Sequence, residues 1–145
     1  MSKSSRIPLD LNFRARMPNR KDTPIGCIGA GFIMADCHLV AYREAGFNPV
    51  AISSRNRSTA QAAADRHSIP KVYDHYQELL TDPEIEVVDI AVPPDIQIEV
   101  VKAAVKQASH VKGILAQKPL GVDYTQAVEI VRLCEDAGIT LAVNQ

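Results

Sequence analysis

Residues 24–145 predict an α/β domain on a doubly wound parallel sheet, and three observations carry that prediction. Short apolar runs alternate with helix-length amphipathic stretches; the first run ends in Gly29-Ala30-Gly31 and opens a helix; and the strongest run, Val87-Val88-Asp89-Ile90-Ala91-Val92, stops at Pro93-Pro94. Strands buried on both faces read as continuous apolar runs, and parallel neighbours need crossover helices between them.

The elements come in order. The first strand runs to about Ile28. The helix after it is expected to turn Ile33, Cys37, Val40 and Ala41 to one face and to stop at Gly46, a residue suited to a left-handed C-terminal position. A second strand occupies residues 49–53, an Ala-rich helix residues 58–67, and a short extended piece residues 71–73. Asp74 is expected to cap a third helix that turns Tyr76, Leu79 and Leu80 inward. The 87–92 strand ends at the prolines, which open a helix bearing Ile98, Val101, Ala104 and Val105. Residues 113–116 form the next strand. Asp123 and Gln126 have the spacing of a capping box for a helix that ends before Gly138, and residues 139–143 make a last strand.

Residues 1–23 differ in composition. Ser, Lys, Arg and Pro dominate, while Ile7, Leu9, Leu11 and Phe13 alternate with polar residues. They are read as an arm, either laid along a sheet edge or a partner subunit or free as a mobile tail, with Arg14, Arg16, Arg20 and Lys21 solvated.

Composition narrows the function. The 145 residues, 46% of them hydrophobic, suffice for one domain with a core. Sixteen Lys and Arg against 17 Asp and Glu leave a net charge of −1, which offers no field for nucleic acid or an anionic membrane surface. Cys27, Cys37 and Cys134 are odd in number and far apart, so they read as small core residues in a reducing compartment. His67, His75 and His110 lack metal-ligand spacing and read as surface residues; no metal is expected. No apolar run reaches the roughly 20 residues of a membrane span, and the N-terminus has no signal-peptide core. A cytoplasmic protein is expected.

The glycine segment points to a dinucleotide. Gly29 supplies the tight turn after the strand and Gly31 the bare backbone that admits a pyrophosphate to the helix N-terminus. Met34 stands where the usual third glycine allows close helix-strand packing. NAD-specific domains carry an acid about 20 residues beyond the glycines; here Ser54 takes that place, followed by Arg55 and Arg57. Without a carboxylate to repel a 2′-phosphate, NADP is favoured modestly over NAD. Alternatively Arg55 stacks on adenine whichever cofactor binds, and Arg57 faces water. Asp89 is expected to hydrogen-bond a neighbouring loop, and Asn144 either to reach the nicotinamide carboxamide or substrate or to cap a loop.

Four motifs in order, Gly29-Ala30-Gly31-Phe32-Ile33 with His38, Ser53-Ser54-Arg55-Asn56, Asp89-Ile90-Ala91-Val92-Pro93-Pro94 and Gln117-Lys118-Pro119-Leu120, make residues 23–145 resemble the N-terminal Rossmann domain of the Gfo/Idh/MocA oxidoreductases. The resemblance implies oxidation or reduction of a sugar, cyclitol or related polyol with NAD or NADP. It places Gly29, Gly31, Phe32, Ile33, Ser54, Arg55, Val92, Pro93, Pro94, Gln97, Gln117, Lys118 and Asn144 at the cofactor. Lys118, near the reactive nicotinamide carbon and the substrate hydroxyl, is the expected catalytic residue, its presentation stiffened by Pro119. Gln117 stands where the family usually has glutamate, and His38 is expected to bond backbone near the glycine loop. The resemblance also implies a C-terminal substrate domain beyond Gln145, which would hold a partner for Lys118 and the homo-oligomer contacts; this chain then reads as truncated and inactive alone. Two other readings are weighed: a non-catalytic, redox-sensing Rossmann module, suggested by Met34 and Gln117, and a methyltransferase-type nucleotide enzyme, which lacks its acid after the second strand.

Overall fold

A computed structural model describes residues 16–144. Strand β1 (Pro24–Ile28) leads into a wide π turn (Ile33–His38) that continues as α1 (Leu39–Ala45). Then come β2 (Asn48–Ser53), α2 (Arg57–His67), β3 (Lys71–Tyr73), α3 (Tyr76–Thr81), β4 (Val87–Ile90), α4 (Pro94–Val105), β5 (Gly113–Gln117), α5 (Tyr124–Asp136) and β6 (Thr140–Asn144). All strand pairs are parallel, in the order β3-β2-β1-β4-β5-β6. The chain starts in the middle of the sheet and winds outward both ways, so the order reverses between β1 and β4 and a crevice opens there at the strand C-termini.

Alternation along the strands sorts the core into two layers. Ile25, Cys27 and Ile52 pack with Met34, Leu39, Ala60, Ala63 and Ala64 on one face. Ile28, Val88, Ile90 and Ile114 pack with Leu79, Val101, Ala104 and Ile130 on the other. Gly26 faces this second layer, where an added Cβ would lie 2.8 Å from Leu79 and 2.9 Å from Ile85.

The first helix departs from expectation. Cys37 and Ala41 are exposed, and the inward residues are Met34, His38, Leu39 and, in part, Tyr42. The Leu39 amide donates five residues back, to the Met34 carbonyl, instead of four. One extra residue in a turn rotates the rest of the helix by about 100°, enough to move the buried stripe to the adjacent positions. Met34, in the place of the third glycine, fills the layer under this wide turn and is fully buried.

Other expectations also shift. Cys27 and Cys134 are buried, but Cys37 is at the surface. Asp74 does not cap α3, whose N-cap is His75; its carboxylate pairs with the Arg57 guanidinium. His67 is buried, its Nε2 against the Ala35 carbonyl at 2.7 Å, and His110 Nε2 lies 3.0 Å from the Leu80 carbonyl, so neither is a free surface residue. Asp123 caps α5 by accepting from the Gln126 amide, while the Gln126 side chain bonds the amide of Val122. The alternating residues 7–13 of the expected arm lie outside the described residues. Its end is tied to the body: Arg20 pairs with Glu86 at 3.2 Å, Lys21 donates to the Ala45 carbonyl and the Asp22 carbonyl accepts from Asn48.

Candidate dinucleotide site

A groove of about 540 Å3 lies over the C-terminal ends of β1, β2 and β4. Gly29 forms its floor with φ of +104°, donating to the Ser53 carbonyl at 2.9 Å; the Ala91 amide donates to the Ile28 carbonyl at 2.8 Å. These bonds draw the strand ends so close that a Cβ on Gly29 would stand 2.2 Å from the Ala91 oxygen. Gly31 is the opposite case: a Cβ there meets nothing within 4 Å and would project into open space at the groove.

Of the residues expected at the cofactor, Gly29, Gly31, Ser54, Arg55, Val92 and Pro93 line this groove. Phe32 and Ile33 come directly after the glycine turn and are both exposed, Phe32 at 71%. The Ser54 hydroxyl accepts from the Thr59 hydroxyl at 3.3 Å, and the Asn56 side chain caps α2 by accepting from the Ser58 amide. Arg55 is exposed, whereas Arg57 is occupied by Asp74. Asn56, Thr59, Asp74, His75, Tyr76 and Gln77 also line the groove and were not among the expected residues. Asn56 carried a signal as the N-cap; His75 to Gln77 arrive from the next crossover and had none.

Gln117, Lys118 and Asn144 gather at the ends of β5 and β6, along the same edge of the sheet. Gln117 and Asn144 are register partners there, and Lys118 is next in the chain, exposed, with no side-chain partner among the described residues. The Lys118–Pro119 bond is cis. Gln97, expected near the cofactor, is instead fully buried and committed to this loop. The two hydrogens on its Nε2 are shared among the carbonyls of Gln117, Pro119 and Leu120 at 3.0, 3.2 and 2.8 Å, and its Oε1 accepts from the Gln117 amide at 3.2 Å. Pro94 opens α4 at its first position, where a missing N–H costs nothing.

His38 bonds side chains rather than the backbone near the glycines. Its Nδ1 lies 2.7 Å from Asp89 Oδ2, which also accepts from the Tyr42 hydroxyl at 2.6 Å. The hydrogen bond to Asp89 pushes the His38 pKa up against the opposing effect of burial. Burial, then the Asp89 charge, raise both the Tyr42 hydroxyl and the Cys27 thiol.

The residues fit a dinucleotide by their own geometry. The buried Ser53 hydroxyl in the groove wall has no partner among the described residues, and Gly31 leaves open the space a side chain would take. Over residues 24–145 the sequence matches the Gfo/Idh/MocA family, described as "Oxidoreductase family, NAD-binding Rossmann fold". The chain belongs to that family. Among Gfo/Idh/MocA relatives, it is 33% identical over 116 residues to D-xylose 1-dehydrogenase (NADP(+)) 2 of Haloferax volcanii, covering 80% of this chain and 35% of that enzyme. It is 33% identical over 117 residues to trans-1,2-dihydrobenzene-1,2-diol dehydrogenase of Bos taurus, covering 79% and 34%. An oxidoreductase from Agrobacterium radiobacter, solved with NAD+, L-tartaric acid and magnesium, superposes with a TM-score of 0.78 at 27% identity over 85% of this chain and 35% of that one. The chain thus spans about a third of the length of these relatives. Among the described residues no helix is long and apolar enough to cross a membrane, and no three metal-ligating side chains cluster.

Proposed function

We propose that the groove binds NADP or NAD, with a modest preference for NADP, and that the intact protein moves a hydride between that cofactor and a CH–OH group of a sugar, cyclitol or related polyol. The close approach of Gly29 to Ala91, with the open space at Gly31, carries the cofactor half of this reading. The substrate half draws on relatives named for xylose and for a vicinal diol. A bound nicotinamide supplies the hydride chemistry. The chain's own residues do the rest. Gly29 and Gly31 let a pyrophosphate approach backbone, Ser54 and Arg55 meet the adenosine ribose with no acid at the Ser54 position and the groove's Asp74 carboxylate paired to Arg57, and Val92 and Pro93 wall the groove on the β4 side. Lys118, its amide held by Gln117 Oε1 at 2.9 Å and its ammonium unpaired among the described residues, orients a substrate oxygen and assists its proton transfer. The redox-sensing alternative drew on Met34 and Gln117; Met34 lies in the core under the π turn, and Gln117 still holds the Lys118 amide through its Oε1.

Titration of the chain with NADPH and NADH, read by cofactor fluorescence in a protein without tryptophan, tests the site. NADPH is expected to bind more tightly, and Arg55→Ala to weaken NADPH more than NADH; equal loss of both leaves only adenine stacking. In the intact protein, assayed against aldoses and vicinal diols, Lys118→Ala is expected to keep cofactor binding and lose most turnover. Unchanged turnover removes Lys118 from the chemistry.

A further inference from the structure

We propose that His38 is a positioning residue for the strand-end pair Gln117 and Asn144, and through Gln117 for the backbone of Lys118. Four elements converge on its ring. Asp89 on β4, fully buried, takes the Nδ1 edge at 2.7 Å; Asn144 at the end of β6 brings its amide nitrogen to 2.7 Å from Nε2, and Gln117 at the end of β5 brings its own to 3.4 Å. Tyr42 on α1 donates to the same Asp89 oxygen and so fixes the carboxylate. The relay ends at the backbone N–H of Lys118, which donates to Gln117 Oε1 at 2.9 Å.

Donor and acceptor accounting sets the state of the ring. A carboxylate accepts, so Nδ1 carries the proton toward Asp89; two amide N–H groups donate, so Nε2 presents its lone pair. With both amides presenting N–H, the neutral Nδ1–H tautomer is the form that accepts from Asn144 at 2.7 Å, and Gln117 at 3.4 Å shares the same lone pair. A second proton on Nε2 would face the N–H groups of Asn144 and Gln117 and force them to turn. Gln117 turns only by releasing the Lys118 amide, because its Oε1 is already engaged. The π turn contributes the placement: the rotation that buries Met34 and Leu39 also brings His38 inward, to 8% exposure. Around the ring the titratable groups are Asp89 from β4, Tyr42 from α1 and Cys27 from β1, the last two held in their neutral forms by burial and the Asp89 charge; β5 and β6 present the two amides. The hydrogen bond to Asp89 raises the ring's pKa above the ordinary 6.5, against the opposing effect of burial. That this matters to turnover rests on the proposed role of Lys118 at the substrate oxygen; the coupling itself does not.

The test is NMR of the 145-residue chain without cofactor. Long-range 1H–15N spectra of the His38 ring are followed with pH alongside the side-chain amides of Asn144 and Gln117 and the backbone amide of Lys118. The expected result is an Nδ1–H tautomer at the alkaline end and a titration in which all three reporters move with the ring's own midpoint. Asp89→Asn should lower that midpoint toward the ordinary imidazole value and carry the three reporters down with it. A purely structural histidine would shift stability but would not impose its midpoint on Lys118. A neutral ring protonated on Nε2, or reporters that stay still or track another midpoint, overturns the proposal. If Asp89→Asn does not fold, the coincidence of midpoints in the unmodified chain decides alone. Failure of the Lys118→Ala assay with these couplings intact would remove the chemistry and leave the relay.

Discussion

At the scale of single residues, the two glycines of the loop do different work, and one methyl group separates them. Gly29 combines a left-handed φ with a backbone oxygen 2.2 Å from its missing Cβ, so Gly29→Ala must part β1 from β4. That change is expected to cost about 2–4 kcal/mol, from an alanine forced to positive φ and an overpacked backbone contact. Gly31→Ala meets nothing, so it is expected to leave stability unchanged and to weaken cofactor binding by filling the groove. Urea unfolding and NADPH titration of both variants check this pair; equal destabilisation by the two would contradict it. The glycines, Ser54, Arg55 and the proline corner were legible because each belongs to a short local motif at a strand end, whatever distant backbone it then approaches. Gln97 and His38 were not, because their partners lie 20 or more residues away in sequence, Gln117 for one and Asp89 for the other. A glutamine on an otherwise apolar helix face gives no sign of which carbonyls it will meet.

Among the elements, alternation and punctuation located every strand and helix to within a few residues, because buried parallel strands and amphipathic crossovers leave strong local patterns. The inward face of the first helix was misread because periodicity assumes 3.6 residues per turn and the chain winds a π turn over Ile33–His38. The edge strand β3 shows how a three-residue element is held. Lys71 Nζ and the Tyr73 hydroxyl both donate to Asp82 Oδ2, at 2.7 and 2.8 Å, beyond the end of α3. Burial alone would raise the Asp82 carboxyl, but bonds from Lys71, the Glu84 amide and Tyr73 hold it below the ordinary 3.8. A carboxyl depressed in the folded state adds stability above its unfolded pKa and loses it as pH falls through the folded one. Asp82→Asn is therefore expected to cost about 1–2 kcal/mol at neutral pH, allowing for the partly exposed lysine, and the gap to close below pH 3.8. Denaturant midpoints of both proteins across that range check it; a gap independent of pH would mean the carboxylate is not the source.

For the molecule as a whole, the sheet divides the site in two along one edge. The groove over β1, β2 and β4 and the strand ends of β5 and β6 are built by different crossovers yet share the C-terminal rim, as winding outward from a central β1 requires. Fold class and order of elements were readable from local pattern; the joining of the two halves was not, because it depends on buried polar side chains that bridge distant segments. The Gln97 side chain is the firmest such bridge, and it bears on motion. The segment 117–120 is largely exposed, yet three of its carbonyls and one amide close on a side chain buried in α4, and the Lys118 amide closes on Gln117. Hydrogen exchange at Gln117 and Lys118 should thus proceed at the opening rate of α4 instead of the fast rate of a surface loop. In Gln97→Ala those two amides should exchange orders of magnitude sooner while the centres of β1 and β4 stay protected; rapid exchange in the unmodified chain would show that the loop opens alone. The lysine's stretch of backbone then keeps the clock of a helix it does not belong to.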